Sequence, residues 1–481
     1  MNQVSRKRLV FCFDGTSNTL ERAHPTNVAI TAASVRNSSG DMPQIVYYDE
    51  GVGSNKNDTF RGGALGVGLY DKVVEAYKFL VFNHEPQDEI FIFGFSRGAY
   101  TARSFAGLLH HTGIVNSTYA DKIHVAATLY QNRRRGGDEP GDDVFRFRAE
   151  FVTDTCANDD DLAWRRTNKP GFDPEGIPLV RIRYIGVWDT VKTIGSTLIS
   201  GDRDGDGEAD DAAFHDHDLH PSVQAARHAV AIDERRGKFN VTLWANVDRL
   251  NQERGFAVDA LDRPYQQLWF PGTHGSVGGG GDVRGLSDES LEWVLDGAKE
   301  AGLKLDSAPI SRVWGIRPDP LAQLDNAREP GWSPKEVLMR NLPPLRPRKG
   351  PEHLHEVSRA AIVRWAAPDA FTPEQGPYRP RTLDRVSLGM EEAARAYEPW
   401  MYETRGGYTD NANEQLPDLR RAGRTFRRHV IAPGETLTEI STRYLGHAKR
   451  LPDIVAANRT TIIDPDRYYA GQIINIPAAD G

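Results

Sequence analysis

The sequence predicts an α/β protein with a mostly parallel sheet and helices on both of its faces. Three observations carry this. Strand-like and helix-like segments alternate from residue 8 to residue 110. Later apolar runs at 179–188 and 267–270 extend the alternation. At 91–103, FIFGFSRGAYTAR, a strand runs directly into a helix through a turn flanked by glycines.

Each element has its own signal. Arg8 to Phe13 (RLVFCF) reads as a strand, Asn27 to Arg36 as a helix and Gln44 to Tyr48 as a strand. Asp71 to Phe82 reads as a helix, Glu89 to Phe93 as a strand and Ala99 to His110 as a helix. Leu179 to Trp188 (LVRIRYIGVW), Val241 to Val247 (VTLWANV) and Gln267 to Phe270 are expected as further strands. Helices are expected at Pro221 to Arg235, at Asp288 to Ala301 with Ser287 as N-cap, and at Glu356 to Trp365. Prolines crowd NLPPLRPRKGP and PEQGPYRPR and weaken the periodic signal beyond about residue 305. Three units are therefore expected: 6–310, an irregular and partly helical extension at 311–427, and a compact segment at 428–478.

Composition narrows the class. The 481 residues are 39% hydrophobic and 26% charged, and no apolar run approaches the roughly 18 residues that would span a bilayer. The net charge of −8 argues against a nucleic-acid binder, which needs a concentrated basic surface. The N-terminus has only a five-residue apolar stretch before Asp14, too short for a signal peptide, so synthesis and retention in the cytoplasm are the expectation. Two cysteines, Cys12 and Cys156, imply neither a disulfide framework nor a thiolate metal site.

The turn Gly94-Phe95-Ser96-Arg97-Gly98 fits a nucleophile elbow, because strand and helix pass close together beside a strained serine and the flanking positions must be small. Ala99, Ala102 and Ala106 add a small stripe at helical spacing. A serine needs a base, and the base needs a carboxylate. Asp189 ends the run RYIGVWDTV and Asp14 ends LVFCFDGT; both would reach the C-terminal edge of the sheet, where α/β sites lie. His274, in LWFPGTHGSVGGGG, sits on a glycine-rich loop after a strand. His110 and His111 end the elbow helix, His215, His217 and His220 fall in a polar loop, and His228 is expected within a helix. The order Ser96, Asp189, His274 is the order of α/β-hydrolases, which ranks Asp189 above Asp14. Oxyanion donors are expected from the backbone N–H of Arg97 and from Gly15 or Thr16.

FDGTSN at 13–18, GFSRGAYTAR at 94–103, GVWDTV at 186–191, RHAVAIDERR at 227–236 and FPGTHGSVGGG at 270–280 together resemble the DUF2235 family of α/β-hydrolases. That family includes Tle1-like phospholipase effectors of type VI secretion. The resemblance covers about 6–310 and implies Ser96 as nucleophile, Asp189 as triad acid and His274 as base, an α/β-hydrolase-like sheet, and hydrolysis of phospholipid esters. It also implies delivery by a secretion apparatus to a target-cell periplasm and an immunity protein as partner. Family members often carry H-S-D-V-G-G, where this chain has Gly275-Ser276-Val277 after the histidine, so the histidine loop is expected to be held differently. RHAVAIDERR reads as a helix with a charged end and receives no site role.

In GDRDGDGEADDAAF, Asp202, Asp204, Asp206 and Asp210 have the spacing of a calcium loop. Ala213 replaces the glutamate of a full EF-hand, and a cation site and a solvated loop both remain open. No cofactor is expected for the chemistry; calcium would be structural. The segment 429–477 (HVIAPGETLTEISTRYLG through AGQIINIP) resembles a LysM module, a small βααβ domain, through Pro433-Gly434-Glu435-Thr436-Leu437, Ile440, Tyr444, Asn458 and Gly471-Gln472. The resemblance implies binding to peptidoglycan or another N-acetylglucosamine glycan. Two further readings remain: an esterase on acyl groups of cell-wall glycans, and a non-catalytic wall-binding protein on a hydrolase scaffold.

Overall fold

The computed structural model describes residues 6–15, 23–37, 42–51, 65–133, 140–191, 218–306, 316, 318–326, 346–367, 376–395, 419–421, 424–431, 435–458 and 473–477. The first elements are β1 (Arg8–Phe13), α1 (Asn27–Ser34), β2 (Gln44–Asp49), α2 (Leu65–Asn83), β3 (Glu89–Phe95) and α3 (Arg97–Thr112). There follow α4 (Ile123–Gln131), α5 (Asp142–Phe151), α6 (Asp159–Asn168), β4 (Ile182–Trp188), β5 (Ala226–Ala231) and α7 (Val247–Glu253). Next come β6 (Tyr265–Phe270), α8 (His274–Gly278), α9 (Gly285–Glu300), α10 (Arg359–Ala366) and α11 (Ser387–Ala394). The chain ends with β7 (Leu419–Arg421), β8 (Arg424–Val430), α12 (Leu437–Leu445), α13 (Leu451–Ala457) and β9 (Ile473–Pro477).

Strands β1 to β6 form one sheet in the order β2-β1-β3-β4-β5-β6, and every pairing in it is parallel. This is an α/β-hydrolase-like fold. Side chains alternate through the sheet, as period two requires. Leu9, Phe11 and Phe13 enter a core built with α2, α3 and α4. Val10 and Cys12 enter the opposite core, with α1 and α9. Burial pushes the Cys12 thiol up, so it behaves as a small core residue.

Three expectations are corrected. Residues 221–235 contain strand β5, not a helix, so His228 lies in a strand. Its alanines favour helix as an isolated preference, but a strand buried on both faces of a parallel sheet is selected by packing. Residues 241–247 are not a strand; Val241 makes a single bridge to Val191 and Val247 already opens α7. Ser287 lies inside α9, whose N-cap is Arg284.

The extension contributes a core of its own on the β6 side. Val357 bridges Trp269, and Ala361, Trp365, Tyr378, Leu383 and Met390 enclose Val230, Ile232 and Trp269. The final segment folds strand, helix, helix, strand, with β8 antiparallel to β9 and Ile431, Leu437, Ile440, Ile454, Ile474 and Ile476 between them. A capping box at Thr436 and Glu439 starts α12. Among the described residues no helix is long and apolar enough to cross a membrane.

Candidate active site

Strand order reverses between β1 and β3, so the loops leaving their C-terminal ends diverge and open a crevice there. Ser96 stands at the tip of β3 with φ 59° and ψ −123°, a strained conformation that points its hydroxyl out of the turn. Its N–H donates to the Trp188 carbonyl at 3.0 Å and its carbonyl accepts from Val191, so the turn is tied to the end of β4. Gly94 is required because a Cβ there would lie 2.6 Å from the Gly98 carbonyl oxygen. Gly98 in turn lies against the Phe13 carbonyl too closely for any side chain.

Asp189 follows β4, also at positive φ (39°), and is fully buried. His274 opens α8 after β6. The structure brings the three together: His274 Nε2 lies 2.8 Å from Ser96 Oγ and His274 Nδ1 lies 2.6 Å from Asp189 Oδ2. The rings of Phe95 and Phe239 pack against the imidazole, with centroids at 4.7 and 4.6 Å. Asn27 Nδ2 fixes the far end of α8 by donating to the Val277 and Ser287 carbonyls.

Asp14 has a separate role. Its Oδ2 accepts from the Thr26 hydroxyl at 2.5 Å and from the Tyr48 hydroxyl at 2.8 Å, and its Oδ1 accepts from Gly15 N–H at 2.6 Å. The expectation that Gly15 supplies an oxyanion donor is therefore corrected, because the aspartate folds back on its own loop and takes that N–H. The N–H of Arg97 is the first of α3 and has no intrahelical acceptor. Thr16 lies outside the described residues, as do Asp202, Asp204, Asp206 and Asp210, His215 and His217, and Pro433, Gly434, Gly471 and Gln472 of the final segment. His110 stacks on His220 at 4.6 Å, and His228 is buried neutral, pushed down to about 3 chiefly by burial.

Sequence reading missed Arg348. Its Nη1 donates to Asp189 Oδ1 at 2.6 Å and its Nη2 to Asp189 Oδ2 at 2.9 Å. With Ala231 N–H on Oδ1 and His274 on Oδ2, the carboxylate has four donors, its full capacity. Burial pushes the Asp189 carboxyl up, but the Arg348 charge and the hydrogen bonds from His274 and Arg348 outweigh it and hold the group well below the usual carboxylate range. Glu234 and Arg236 were also missed as site residues. Glu234 accepts the His274 backbone N–H at 3.2 Å and is gripped by Arg236 through three hydrogen bonds, one from its backbone N–H and two from its guanidinium. Burial raises the Glu234 carboxyl, and the Arg236 contacts overcome this to leave it lowered. Asp233 accepts from Gly272 N–H and Tyr378 hydroxyl. These carboxylates hold the histidine loop, in which Gly275-Ser276-Val277, with no aspartate, directly follow His274. The only sequence signal was a charged run directly after an apolar one.

The family model described as "T6SS, Phospholipase effector Tle1-like, catalytic domain" matches residues 7–297. The chain belongs to this family. An uncharacterized protein of Saccharomyces cerevisiae, YEL023C, is 26% identical over 250 residues, which are 49% of this chain and 32% of that protein. The chain thus spans about a third of the length of this curated relative. Among solved structures, a Tle1 effector bound to the VgrG spike of a type VI secretion system is 18% identical, with a TM-score of 0.28 over 57% of this chain and 51% of that one. An uncharacterized protein from Pseudomonas aeruginosa is 16% identical, with a TM-score of 0.37 over 93% of this chain and 63% of that one. Zea mays acyl-protein thioesterase 2 is 11% identical, with a TM-score of 0.22 over 62% of this chain and 95% of that one.

Proposed function

We propose that this Tle1-like chain is a serine ester hydrolase of the phospholipase A type, with Ser96 as nucleophile, His274 as base and Asp189 as its orienting acid. The observation that carries the reading is the continuous relay from Ser96 Oγ through the His274 ring to Asp189. His274 Nε2 takes the hydroxyl proton as Ser96 Oγ attacks an acyl carbonyl, and the Arg97 N–H steadies the oxyanion. The same imidazole then protonates the leaving alkoxide, and water releases the acyl group by the reverse sequence. The family description supports a phospholipid as the ester.

Hydrolysis of phospholipid vesicles and of short-chain nitrophenyl esters by wild type and Ser96→Ala tests this. Both activities should fall by at least about a thousandfold in the variant. Full activity in Ser96→Ala would overturn the nucleophile. Turnover of soluble esters without vesicle hydrolysis would instead favour an esterase on cell-wall acyl groups, a reading supported by the LysM resemblance of 429–477. No turnover of either by wild type would favour the non-catalytic wall binder. We further propose that the final segment binds peptidoglycan, tested by pull-down with insoluble peptidoglycan. Export through a type VI apparatus, with an immunity protein as counterpart, is proposed on the family description. A structural calcium at Asp202 to Asp210 is proposed on spacing alone, and calorimetric titration without heat at millimolar calcium would remove it.

A further inference from the structure

We propose that Arg348 is a positioning residue of the hydrolytic site: delivered by the extension, its guanidinium fixes the Asp189 carboxylate and sets the pH at which Ser96 becomes reactive. The inference rests on the serine-hydrolase reading above.

The geometry is that of a built clamp. The guanidinium bridges both carboxylate oxygens and also donates to the Ala231 and Phe239 carbonyls at 2.9 and 2.6 Å. Its side chain is 6% exposed. The segment that carries it is anchored on either side. Arg346 N–H donates to the Arg235 carbonyl at 2.8 Å, and Gly350, at φ 75°, lies against the Thr382 carbonyl with no room for a Cβ. Phe239, whose backbone carbonyl is one of the acceptors, also packs its ring against His274. One side chain from the extension therefore touches both the acid and the wall that holds the base.

The charge balance follows. A buried carboxylate alone would pair with an imidazolium and leave the cluster neutral. Here Asp189 and Arg348 already cancel, so a proton added to His274 brings a net positive charge into a buried site. The other groups facing Asp189 do not change this. His228 on β5 is neutral, and Ala231 offers only an N–H. Glu234 and Arg236, in the loop after β5, pair with each other; Asp325 faces Arg236, and Glu234 meets the backbone of His274. Arg103, from α3, lies over the Trp244 ring and donates to the Thr242 carbonyl. Removing the guanidinium frees the full carboxylate charge to hold a proton, either on Asp189 or on His274. Both outcomes delay activation of Ser96 to higher pH.

The test follows labelling of Ser96 by a fluorophosphonate against pH, which needs no knowledge of the natural substrate. The serine oxygen bonds to phosphorus, fluoride leaves, and the hydroxyl proton passes to His274. In Arg348→Met the acid limb of the labelling rate should move up by about one to two pH units, with labelling slow near pH 6 and largely recovered by pH 9. In Arg348→Lys the limb should stay in place while the rate falls several-fold, because an ammonium cannot span both oxygens. A folded Arg348→Met with an unchanged profile, or with the same loss at every pH, would overturn the proposal. Where Arg348→Met does not fold, Arg348→Lys decides, and either a displaced limb or an unaltered rate counts against the clamp. Ser96→Ala is the control: label on that variant would mean that the nucleophile assignment, rather than Arg348, has failed.

Discussion

Gly98, in the first turn of α3, lies so close to the carbonyl of Phe13 at the end of β1 that a Cβ on it would clash with that oxygen. Adding one methyl group therefore pushes the start of α3 away from the end of β1 at the crevice that holds Ser96. Gly98→Ala should lower stability by about 2–3 kcal/mol, read by denaturant unfolding. It should also cut nitrophenyl ester turnover by up to about a hundredfold, because the displacement falls on the elbow itself.

Asp14 should behave as a scaffold residue. Replacing it with alanine strips the acceptor from the Thr26 and Tyr48 hydroxyls and from Gly15 N–H. A loss of about 2–3 kcal/mol in unfolding free energy is expected. Asp14→Asn, which keeps the shape and one acceptor, should lose less. The His274 to Asp189 hydrogen bond does not involve Asp14, so the pH profile of turnover should keep its shape in both variants.

Arg148 closes the far end of the elbow helix. From α5 it donates to the His111 carbonyl through Nε at 2.8 Å and to the His110 carbonyl through Nη2 at 3.2 Å, satisfying the last turn of α3 from a fully buried position. Arg148→Met should cost about 3 kcal/mol. The site lies some 22 Å away along the helix, so kcat of the folded protein should be unchanged.

Glu289 gives stability a pH dependence. Its carboxyl on α9 is pushed up to about 8, first by burial and then by the charges of Glu292 and Asp319, and its Oε1 lies out of solvent with no hydrogen-bond partner among the described residues. A carboxyl raised in the folded state binds a proton that the unfolded chain has released. Its contribution to stability therefore falls as pH climbs from about 4.5 to about 8, by on the order of 1 kcal/mol per unit. Denaturation series at pH 5, 6.5 and 8 should show Glu289→Gln gaining on wild type as pH rises; a constant difference would contradict the assignment.

What the sequence made legible was local. The boundaries of β1 and the strand–turn–helix at Ser96 were plain because apolar runs and flanking glycines are adjacent in the chain. The same held for His274, set between a strand and four glycines. Strand β5 was misread because alanine and arginine at 226–227 look helical until neighbours on both sides impose a strand. The role of Asp14 was open between two chemistries, and only its contacts with Thr26 and Tyr48 separate them. Arg348 was invisible. It lies 159 residues from Asp189 in a proline-rich stretch, where no periodicity marks a side chain that reaches into a buried site.

The matched family stretch stops at residue 297, yet the fork that grips the aspartate arrives from residue 348, and the hydrophobic lid over Trp269 from residues 357–390. A gene trimmed to the matched stretch would encode a sheet with its last strand stripped bare and its buried acid robbed of its counter-ion. Residues 7–297 and the stretch that carries Arg348, Trp365 and Met390 therefore share one core and one buried ion pair, and must be expressed together to fold as this structure shows.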